Sequence, residues 1–461
     1  MKKFSSICII FFLTYSCTKS YDKAILNAEK KYYNNDYNAA IKEVRTLVDK
    51  GPQRNRLLYL MEAGTIFHSA GDYKKSNTVF LEAEHLIDQQ SKSVTEEAWT
   101  FVSLDSNSVF KGESFEIIMI KLYIALNYLM MDDFDSAQRY FKKVNFDLKE
   151  MKINDAAYKQ NLLARYLAAI ILEYMEDYNG ARVEYKNIEQ FNPEFPLLNE
   201  SRMVLAMKSS DDDDLKKFAK YKNSIPAYNG SMEPDLYNPN LGELIIINEF
   251  GSSPVKESRG MMTRDPLFMS ALRTALIVVL NGPQYRGQFT MASVIAMLSL
   301  AENPIPVYKN RTSNNEQLEV LLNGSRNGYT WNVMDHNDIV LKSFNENYNT
   351  IVKKNISRIA VKIVAALAIT HAINKSEAPE LVKVLSSVAA SGTIAATTRP
   401  DLRCWHLSPS NFQIQRYFLE AGNYELELKA SSSRIFISKY PHQIQIEKRK
   451  PTFVIVRSYL P

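Results

Sequence analysis

The sequence predicts a multidomain α+β protein, in which an N-terminal region of all-α helical repeats precedes an α+β domain that ends in a small antiparallel β unit. Three observations predict this class. Apolar residues recur three and four positions apart from Tyr21 to about Tyr221, a five-residue motif recurs four times in that region, and short alternating apolar runs follow Asn411. We expect the repeat domain at 18–225 and the α+β domain at 240–461, with its β unit from about 410.

The recurring motif starts with an aspartate and an aromatic residue, and a small residue follows three positions after the aromatic. Its copies are Asp36–Ala40, Asp72–Ser76, Asp133–Ala137 and Asp177–Ala181. Four residues further on, one helical turn places a bulky residue on the same face. This pattern resembles the second half of a tetratricopeptide repeat, in which the small residue lets two helices approach and the large one fills the groove between neighbouring pairs.

The resemblance implies which side chains pack the repeats together. The motif aromatics lie 36, 61 and 44 residues apart, so we expect an irregular array with an insertion around Ser91–Glu113. A generic helical bundle with acidic-aromatic helix starts is the alternative. Stacked helix pairs form a concave surface, on which we expect a partner protein or peptide to bind. The predicted packing residues are Tyr37, Ala40, Tyr73, Phe80, Phe134, Ala137, Phe141, Tyr178, Ala181 and Tyr185.

The first 17 residues have the pattern of a cleaved export signal. Lys2 and Lys3 supply positive charge, and Ile7–Leu13 is an apolar core too short to span a bilayer. The next residues resemble a bacterial lipobox, in which small Ser16 precedes an acylated cysteine, Cys17. We therefore predict a signal peptide at 1–17 and a lipid such as palmitate on Cys17. The alternative is an ordinary secreted protein with a coincidental cysteine.

The predicted lipid places the protein in the bacterial cell envelope, as a membrane-anchored lipoprotein that faces the periplasm or the cell surface. Lysine and arginine number 56 against 51 acidic residues, and this net charge of +5 is too dilute on a large surface to indicate nucleic acid as a partner. The cysteines are Cys8, Cys17 and Cys404, so a disulfide framework within the mature chain is excluded.

The second half of the chain begins with Glu243–Phe250, a β-branched run that predicts a buried strand. Asp265–Leu280 has a helix-start signal and a helical pattern, and Asn337–Ile373 is the longest helical run. Within that run Ile359–Ile373 is almost wholly apolar, but it is shorter than the roughly 20 residues of a membrane span. We therefore predict a buried core helix there, followed by a second helix over Glu377–Ala396.

Short extended runs predict the strands. Gly422–Asn423 is the clearest hairpin signal within the β unit. Single strands are also expected near Ile305–Tyr308 and Trp331–Met334. The five runs of the β unit are Phe412–Phe418, Tyr424–Leu428, Ile435–Ser438, Gln443–Glu447 and Phe453–Val456.

The sequence contains no recognisable catalytic or metal-binding motif. Its six histidines lack the spacing of a zinc site, and no phosphate-binding loop or Gly-x-Ser-x-Gly nucleophile motif occurs. Cys404 and His406 are two residues apart, which in an extended segment separates their side chains by about 7 Å, too far for a catalytic pair. We therefore expect no cofactor, no metal and no enzymatic activity.

Two segments stand out beside the predicted strands. Glu249–Glu257 runs from a strand end into a Gly-Ser-Ser-Pro turn, and Asp401–Pro409 precedes the β unit. Together with the lipobox and the repeats, they resemble an uncharacterised family of bacterial tetratricopeptide-repeat cell-envelope lipoproteins. Members of that family carry a Glu-x-Gly-x-x-Pro-x-Lys turn and an Asp-x-Arg-x-Trp-x-x-x-Pro stretch. The residues that match these patterns, and form our candidate cluster, are Glu249, Gly251, Pro254, Lys256, Asp401, Arg403 and Trp405.

The resemblance implies a role beside lipoproteins that resemble activators of peptidoglycan synthases, with no enzymatic activity attached. We therefore expect a protein-binding scaffold or adaptor whose partner is another envelope protein or peptide. The alternative is a cell-wall enzyme with a carboxylate site near Glu249 and Asp401. We also expect the two segments to meet in space, either as a network that holds the domain together or as a contact for a partner. In the first case Glu249 pairs with Lys256, and Arg403 pairs with Asp401 or stacks on Trp405.

Overall fold

The computed structural model describes residues 21–92, 108–150, 161–224, 237–283, 286–287, 289–311 and 316–460. The predicted signal peptide with Cys17, and most of the predicted insertion, lie outside these ranges. The first described part is helical throughout, in agreement with the predicted repeat domain. Its helices are α1 (Tyr21–Tyr33), α2 (Tyr37–Lys50), α3 (Arg56–Ser69), α4 (Tyr73–Lys92), α5 (Ser114–Met130), α6 (Phe134–Glu150), α7 (Leu162–Tyr174), α8 (Tyr178–Phe191), α9 (Leu198–Ser209) and α10 (Asp212–Phe218).

The recurring motif marks the turn between the two helices of each of the first four pairs. Its aspartate is the N-cap of the second helix, and the carboxylate accepts a hydrogen bond from the backbone N–H three residues later, at 2.9–3.1 Å. The residue before each aspartate has a positive φ, which ends the first helix in a left-handed turn. The motif therefore encodes the tight turn as well as the packing surface. These turn residues are Asn35, Gly71, Asp132 and Glu176.

Most of the predicted packing residues are buried between helices. The alanines Ala40, Ala137 and Ala181 are fully buried, whereas Tyr73 and Tyr178 are half-buried at the ends of their helices. The remaining five predicted residues are buried as well, and Phe80 shows how close the helices lie. Its ring packs against the backbone of Gly64, where an added Cβ would come within 2.5 Å of it. The five predicted packing residues that are buried in addition to the alanines are Tyr37, Phe80, Phe134, Phe141 and Tyr185.

The later region contains three sheets and a group of helices. Strands β6, β7, β1, β11 and β9 form a five-stranded sheet in that order, β10, β8, β4 and β5 form a four-stranded sheet, and β2 pairs with β3. The strands are β1 (Leu241–Phe250), β2 (Val255–Glu257), β3 (Val307–Lys309), β4 (Leu318–Leu322), β5 (Ser325–Tyr329), β6 (Trp331–Asp335), β7 (Asn411–Glu420), β8 (Gly422–Ala430), β9 (Phe436–Ile437), β10 (Gln443–Ile446) and β11 (Pro451–Tyr459). The helices are α11 (Pro266–Leu280), α12 (Met291–Met297), α13 (His336–Asn374) and α14 (Glu380–Thr397).

Strand β1 lies at the centre of the molecule, and all ten of its residues are buried. Successive side chains of a strand point to opposite faces. Ile245 and Ile247 pack with the repeat helices, whereas Leu244 and Ile246 pack against the four-stranded sheet. The described region therefore has three layers: helical repeats, the five-stranded sheet and the four-stranded sheet.

The concave face of the repeats is occupied by this five-stranded sheet. The first helices of the pairs, α3, α5 and α7, line that face and are buried nearly all round, as helices without a polar side require. One hydrophobic core joins their side chains to those of the sheet. The surface on which we expected a partner to bind therefore holds a part of the same chain.

The strands after Pro409 divide between the two larger sheets. Strand β11 pairs in parallel with β1, about 200 residues upstream, while β8 and β10 pair in the four-stranded sheet. The hairpin predicted at Gly422–Asn423 is wrong, because β7 and β8 are consecutive but belong to different sheets. At this point the chain passes from the five-stranded sheet to the four-stranded sheet. Strands β4 and β5 were not predicted.

Our prediction of a fully buried helix over Ile359–Ile373 is partly wrong. This half of α13 buries one face, with Ile359, Ile363 and Leu367, against α11, α12 and α14. Its other face, which includes Val361 and Ile369, is exposed. By length and composition, α13 is the one described helix that is long and apolar enough to cross a membrane, and one third of its most apolar 18-residue window is buried.

Replacing Ala137 by leucine tests the packing of the repeats. The extra side-chain atoms must enter a seam with no free volume, so we expect Ala137→Leu to lower the free energy of unfolding by about 1–3 kcal/mol. Urea denaturation of the whole chain measures this change. Lys142→Leu, on the exposed side of the same helix, is the control and should change stability by less than about 0.5 kcal/mol. Equal stability of both variants would contradict repeat stacking at this seam.

Candidate functional site

An extended segment enters the groove between the repeats and the sheet. We call Asp401–Ser410 the tryptophan segment. Trp405 is buried at its centre, donates its indole N–H to Thr65 Oγ1 at 3.1 Å, and packs against the rings of Phe80 and Tyr123. The groove of the repeats therefore already contains an extended peptide, supplied by the same chain.

Two buried carboxylates hold the backbone of this segment. Glu116 Oε1 accepts the N–H of Trp405 at 2.9 Å, and Glu62 accepts the N–H groups of His406 and Leu407 at 2.7 and 3.1 Å. Both acids project from inner helices of the repeats. Burial raises the pKa of Glu116 to about 7, and it also raises the pKa of Glu62. Because these contacts involve backbone groups, they fix the path of the segment rather than its side chains.

Arg403 links the start of the tryptophan segment to the repeats through hydrogen bonds. Its guanidinium forms an ion pair with Asp401 at 2.6 Å and donates to Asn55 Oδ1 and to the carbonyl oxygen of Ser108, both at 3.0 Å. Burial alone would raise the pKa of Asp401, but the hydrogen bond and charge of Arg403 outweigh it and lower that pKa. Arg403 stacks on Phe110 at 5.4 Å, in place of the stacking on Trp405 that we considered.

The other predicted segment lies directly beside the tryptophan segment. The N–H of Ser253 donates to the carbonyl oxygen of Ser408 at 2.9 Å, and the N–H of Ser410 donates to that of Phe250 at 2.9 Å. The turn between them needs Gly251, which has a φ of +68°, and Pro254 is buried behind it. The structure thus brings together two segments that are about 150 residues apart in the sequence.

The ion pairs formed by these two segments differ from our expectation. Glu249 does not pair with Lys256. Lys256 forms an ion pair with Glu113 at 2.5 Å, whereas Glu249 is fully buried with its Oε1 3.2 Å from Nε2 of His68. Strand direction explains this result, because Glu249 lies on the face of β1 that points towards the repeats.

His68 of α3 lies against Glu249 inside the protein, and both side chains are buried. Nδ1 of His68 is 2.6 Å from the side-chain oxygen of Asn127, whose amide nitrogen donates to Ser76 and Asn77, so Nδ1 must be the donor. The other ring nitrogen, Nε2, faces Oε1 of Glu249 across the interface between α3 and β1.

The two carboxylates of the enzyme alternative occupy separate cavities. Asp401, Lys256 and Arg403 line a cavity of about 390 Å³ between the repeats and α13. Glu249 lines another, of about 110 Å³, with His68 and Arg457. A pair of acids that act on one bond must share a site, so this arrangement does not support the enzyme alternative. Cys404 is buried, and no group of potential metal ligands occurs among the residues that the structure describes.

Four charged side chains form a closed network where the repeats meet the sheet. Arg416 of β7 forms ion pairs with Glu173 of α7 at 2.7 Å and with Glu243 of β1 at 2.6 Å, and Lys208 of α9 contacts both carboxylates at 2.8 and 2.6 Å. Burial alone would raise the pKa of Glu173, but the charges of Arg416 and Lys208 outweigh it and lower that pKa to about 2. The two positive and two negative charges of this network therefore neutralise one another at the interface between the repeats and the sheet.

The sequence analysis did not identify the acids of the repeats that form these contacts. Their signal was present, because each is the single acidic residue of a largely apolar inner helix. A buried charge needs a partner, and the partner must then come from the face packed on that helix. These residues are Glu62, Glu116 and Glu173.

Comparison with known proteins gives distant structural likenesses. No protein-family model and no curated protein matches the chain. Two structures of MamA are each 13% identical to it; they cover 42% and 46% of this chain and 90% and 96% of their own, with TM-scores of 0.30 and 0.31. The structure of BtubC from P. vanneervenii is 14% identical, covers 45% of this chain and 77% of its own, and has a TM-score of 0.28. Such scores transfer no function to this chain.

Removal of the Arg403 side chain tests its role in the fold. Arg403→Ala leaves Asp401 and two oxygen acceptors of the repeats without their buried donor, so we expect a loss of about 2–4 kcal/mol in the free energy of unfolding. Chemical denaturation of the whole chain gives this value. Arg399→Ala, which removes a nearby exposed arginine, is the control and should have an effect below about 0.5 kcal/mol. A similarly small effect of Arg403→Ala would identify Arg403 as a contact that the fold does not need.

The charge network predicts a dependence of stability on pH. The pKa of Glu173 is lower in the folded chain than in the unfolded one, so its contribution is present above about pH 4.5 and is lost as the pH falls towards 2. We expect Glu173→Gln to be less stable than the wild type by about 2–3 kcal/mol at pH 6, with the difference shrinking towards zero near pH 2. Urea denaturation at several pH values measures both curves. A difference that is independent of pH would contradict this assignment.

Proposed function

We propose that this protein is a non-enzymatic lipoprotein of the bacterial cell envelope, anchored by a lipid on Cys17, which acts as a protein-binding scaffold through its helical repeats. The tryptophan segment carries the proposal. It supports the proposal because the groove buries Trp405 and accepts backbone N–H groups of an extended segment on Glu62 and Glu116. Peptide recognition of this kind needs shape and hydrogen bonds but no chemistry.

Because the groove is occupied, a further protein must bind to another surface of the repeats. The inner helices have no free surface, because the sheet and the tryptophan segment cover them. The second helices, α4, α6 and α8, have solvent-exposed outer sides. We place the docking of an envelope partner on these outer sides, while the groove keeps the sheet-containing domain in a fixed orientation.

Membrane anchoring has a direct test at the predicted lipobox. Cys17→Ser removes the acylated sulfur, so we expect the protein to leave the detergent phase in phase separation and to incorporate no labelled fatty acid, whereas the wild type does both. Cys404→Ser is the matched control, because this cysteine lies in the folded body and should leave both readouts unchanged. Incorporation of label into the Cys17→Ser protein would contradict lipidation at this residue.

The scaffold role is tested by site-specific crosslinking in intact envelopes. A photoreactive residue at Lys142 or Lys186, both exposed on outer helices, should give a discrete adduct that mass spectrometry identifies as an envelope protein. The same residue in place of Leu407 should give an intramolecular crosslink to the repeats alone. An intermolecular adduct at position 407 and none at the outer positions would overturn the assignment of the outer sides as the docking surface.

A further inference from the structure

An apolar surface remains uncovered on the helices of the later region. We call the second half of α13, Ile356–Asn374, together with α14, the apolar hairpin. In α14 the side chain of Ile394 alone is buried, whereas five large apolar residues of its first half are exposed. Four of them follow helical spacing and so form one stripe. The five residues are Leu381, Val382, Val384, Leu385 and Val388.

The neighbouring helices extend this surface. Val361 and Ile369 are exposed on α13, which packs against α14, and α11, which packs against α13, exposes Leu267 and Val278 to 79% and 76%. Isolated apolar residues on a protein surface need no explanation, but a continuous group on three packed helices marks a site of interaction. Large apolar residues such as Phe146 and Val183 are exposed elsewhere in the described chain, but four exposed apolar residues of α14 share one helical stripe.

The charges around the apolar hairpin are predominantly positive. Between Ile351 and Thr398 six lysines and arginines stand against two glutamates; of these, Arg358 is buried and Lys383 is paired with Glu380. No charged residue occurs over 363–374 or 384–398. Apolar helices with basic residues at their edges are suited to the boundary between the headgroups and acyl chains of an anionic bilayer.

Packing distinguishes this mode from a membrane span. Although α13 is long and apolar enough to cross a membrane, one face of its apolar half is buried against α11, α12 and α14. The wholly uncharged runs of 12 and 15 residues are about 18 and 22 Å long as helices, against roughly 30 Å for the hydrocarbon core. A second copy of the chain is a less suitable cover, since it would bring the positive edges of two hairpins together. A lipid leaflet satisfies both the apolar stripe and the surrounding charge.

We propose that the apolar hairpin binds the surface of an anionic lipid bilayer, with the exposed side chains of α13 and α14 in the acyl region and the flanking lysines at the phosphates. This contact is additional to the lipid on Cys17 and rests on the proposed function only for the presence of a membrane nearby. It would orient the repeats relative to the membrane, which a flexible lipid anchor alone cannot do.

Vesicle flotation of the full chain tests this proposal. The Cys17→Ser form is used, so that binding does not depend on lipidation. We expect it to float with vesicles of phosphatidylethanolamine and phosphatidylglycerol, and to bind vesicles of phosphatidylcholine at least tenfold more weakly, with the difference decreasing at high salt. Val384→Asp with Val388→Asp places two acids in the stripe and should weaken binding at least tenfold.

A matched variant separates this site from a general effect of added acids. Leu26→Asp with Phe436→Asp changes two exposed apolar residues outside the apolar hairpin and should bind the vesicles as before. Both pairs of substitutions lie on exposed positions, and melting curves verify that each variant is folded. Equal flotation of the two variants would overturn the proposal. Failure of the parent protein to bind vesicles would also overturn it. In that case, dimers of the parent that Val384→Asp with Val388→Asp abolishes would identify a second copy of the chain as the occupant of the hairpin.

A fluorescent label reports the depth of insertion. In a chain that carries Cys8→Ser and Cys17→Ser and in which Cys404 is buried, an environment-sensitive dye on Leu385→Cys should shift to the blue and be quenched by brominated lipids when anionic vesicles are added. The same dye on Leu26→Cys should remain unchanged. A dye at position 385 that stays in water during flotation would place the contact elsewhere and overturn the proposal. Neither readout depends on acylation, so failure of the predicted lipidation at Cys17 would be recognised separately.

Discussion

The contact between the five-stranded sheet and the concave face of the repeats determines the rest of the structure. The sheet presents isoleucines to the helices at its centre and charged groups at its two ends, where Glu243 and Glu249 lie on the same face of β1. Each buried charge costs several kcal/mol unless it has a partner. At one end the repeats supply Lys208 to Glu243 and Glu173 to Arg416 of β7, and at the other end His68 lies against Glu249.

These polar contacts give the interface its register. Apolar surfaces alone tolerate sliding, whereas an ion pair inside the protein is stable in one alignment. Arg416 at one end and Arg457 at the other lie on strands beside β1, and Arg457 reaches the backbone of Glu249 and the hydroxyl of Tyr32. The tryptophan segment, at the same end as Arg457, then occupies the remaining groove. The repeats and the sheet are therefore held at two distant points, which makes their relative orientation fixed.

The local features of this fold were predictable from the sequence, and its long-range contacts were not. The motif around Asp133–Ala137 specifies a cap and a packing surface within one turn of helix, so it can be recognised without knowledge of the fold. The parallel pairing of β1 with β11, in contrast, joins residues about 200 positions apart, and nothing in either run names its partner. The predicted hairpin at Gly422–Asn423 failed for the same reason, since a turn signal does not say to which sheet the next strand belongs.

In the candidate site, too, local features were predictable from the sequence and long-range contacts were not. The sequence pointed to Asp401, Arg403 and Trp405 through their match to a pattern of the family that the chain resembles, yet it could not show that Trp405 faces the repeats. The acids that hold its backbone were predictable in principle, as charges within apolar inner helices, once those helices were recognised as buried on every side.

The arrangement also makes the two regions of the chain depend on each other. The inner helices α3, α5 and α7 expose almost no polar surface, so without the sheet they would present a large apolar groove with carboxylates inside it. Strand β1 has no exposed residue, and its partner β11 lies about 200 residues downstream. The face of the repeats is therefore covered by segments that are distant in the sequence, and the tryptophan segment fills the remaining groove. In the proposed scaffold role, this arrangement leaves the outer surfaces of the repeats for further binding.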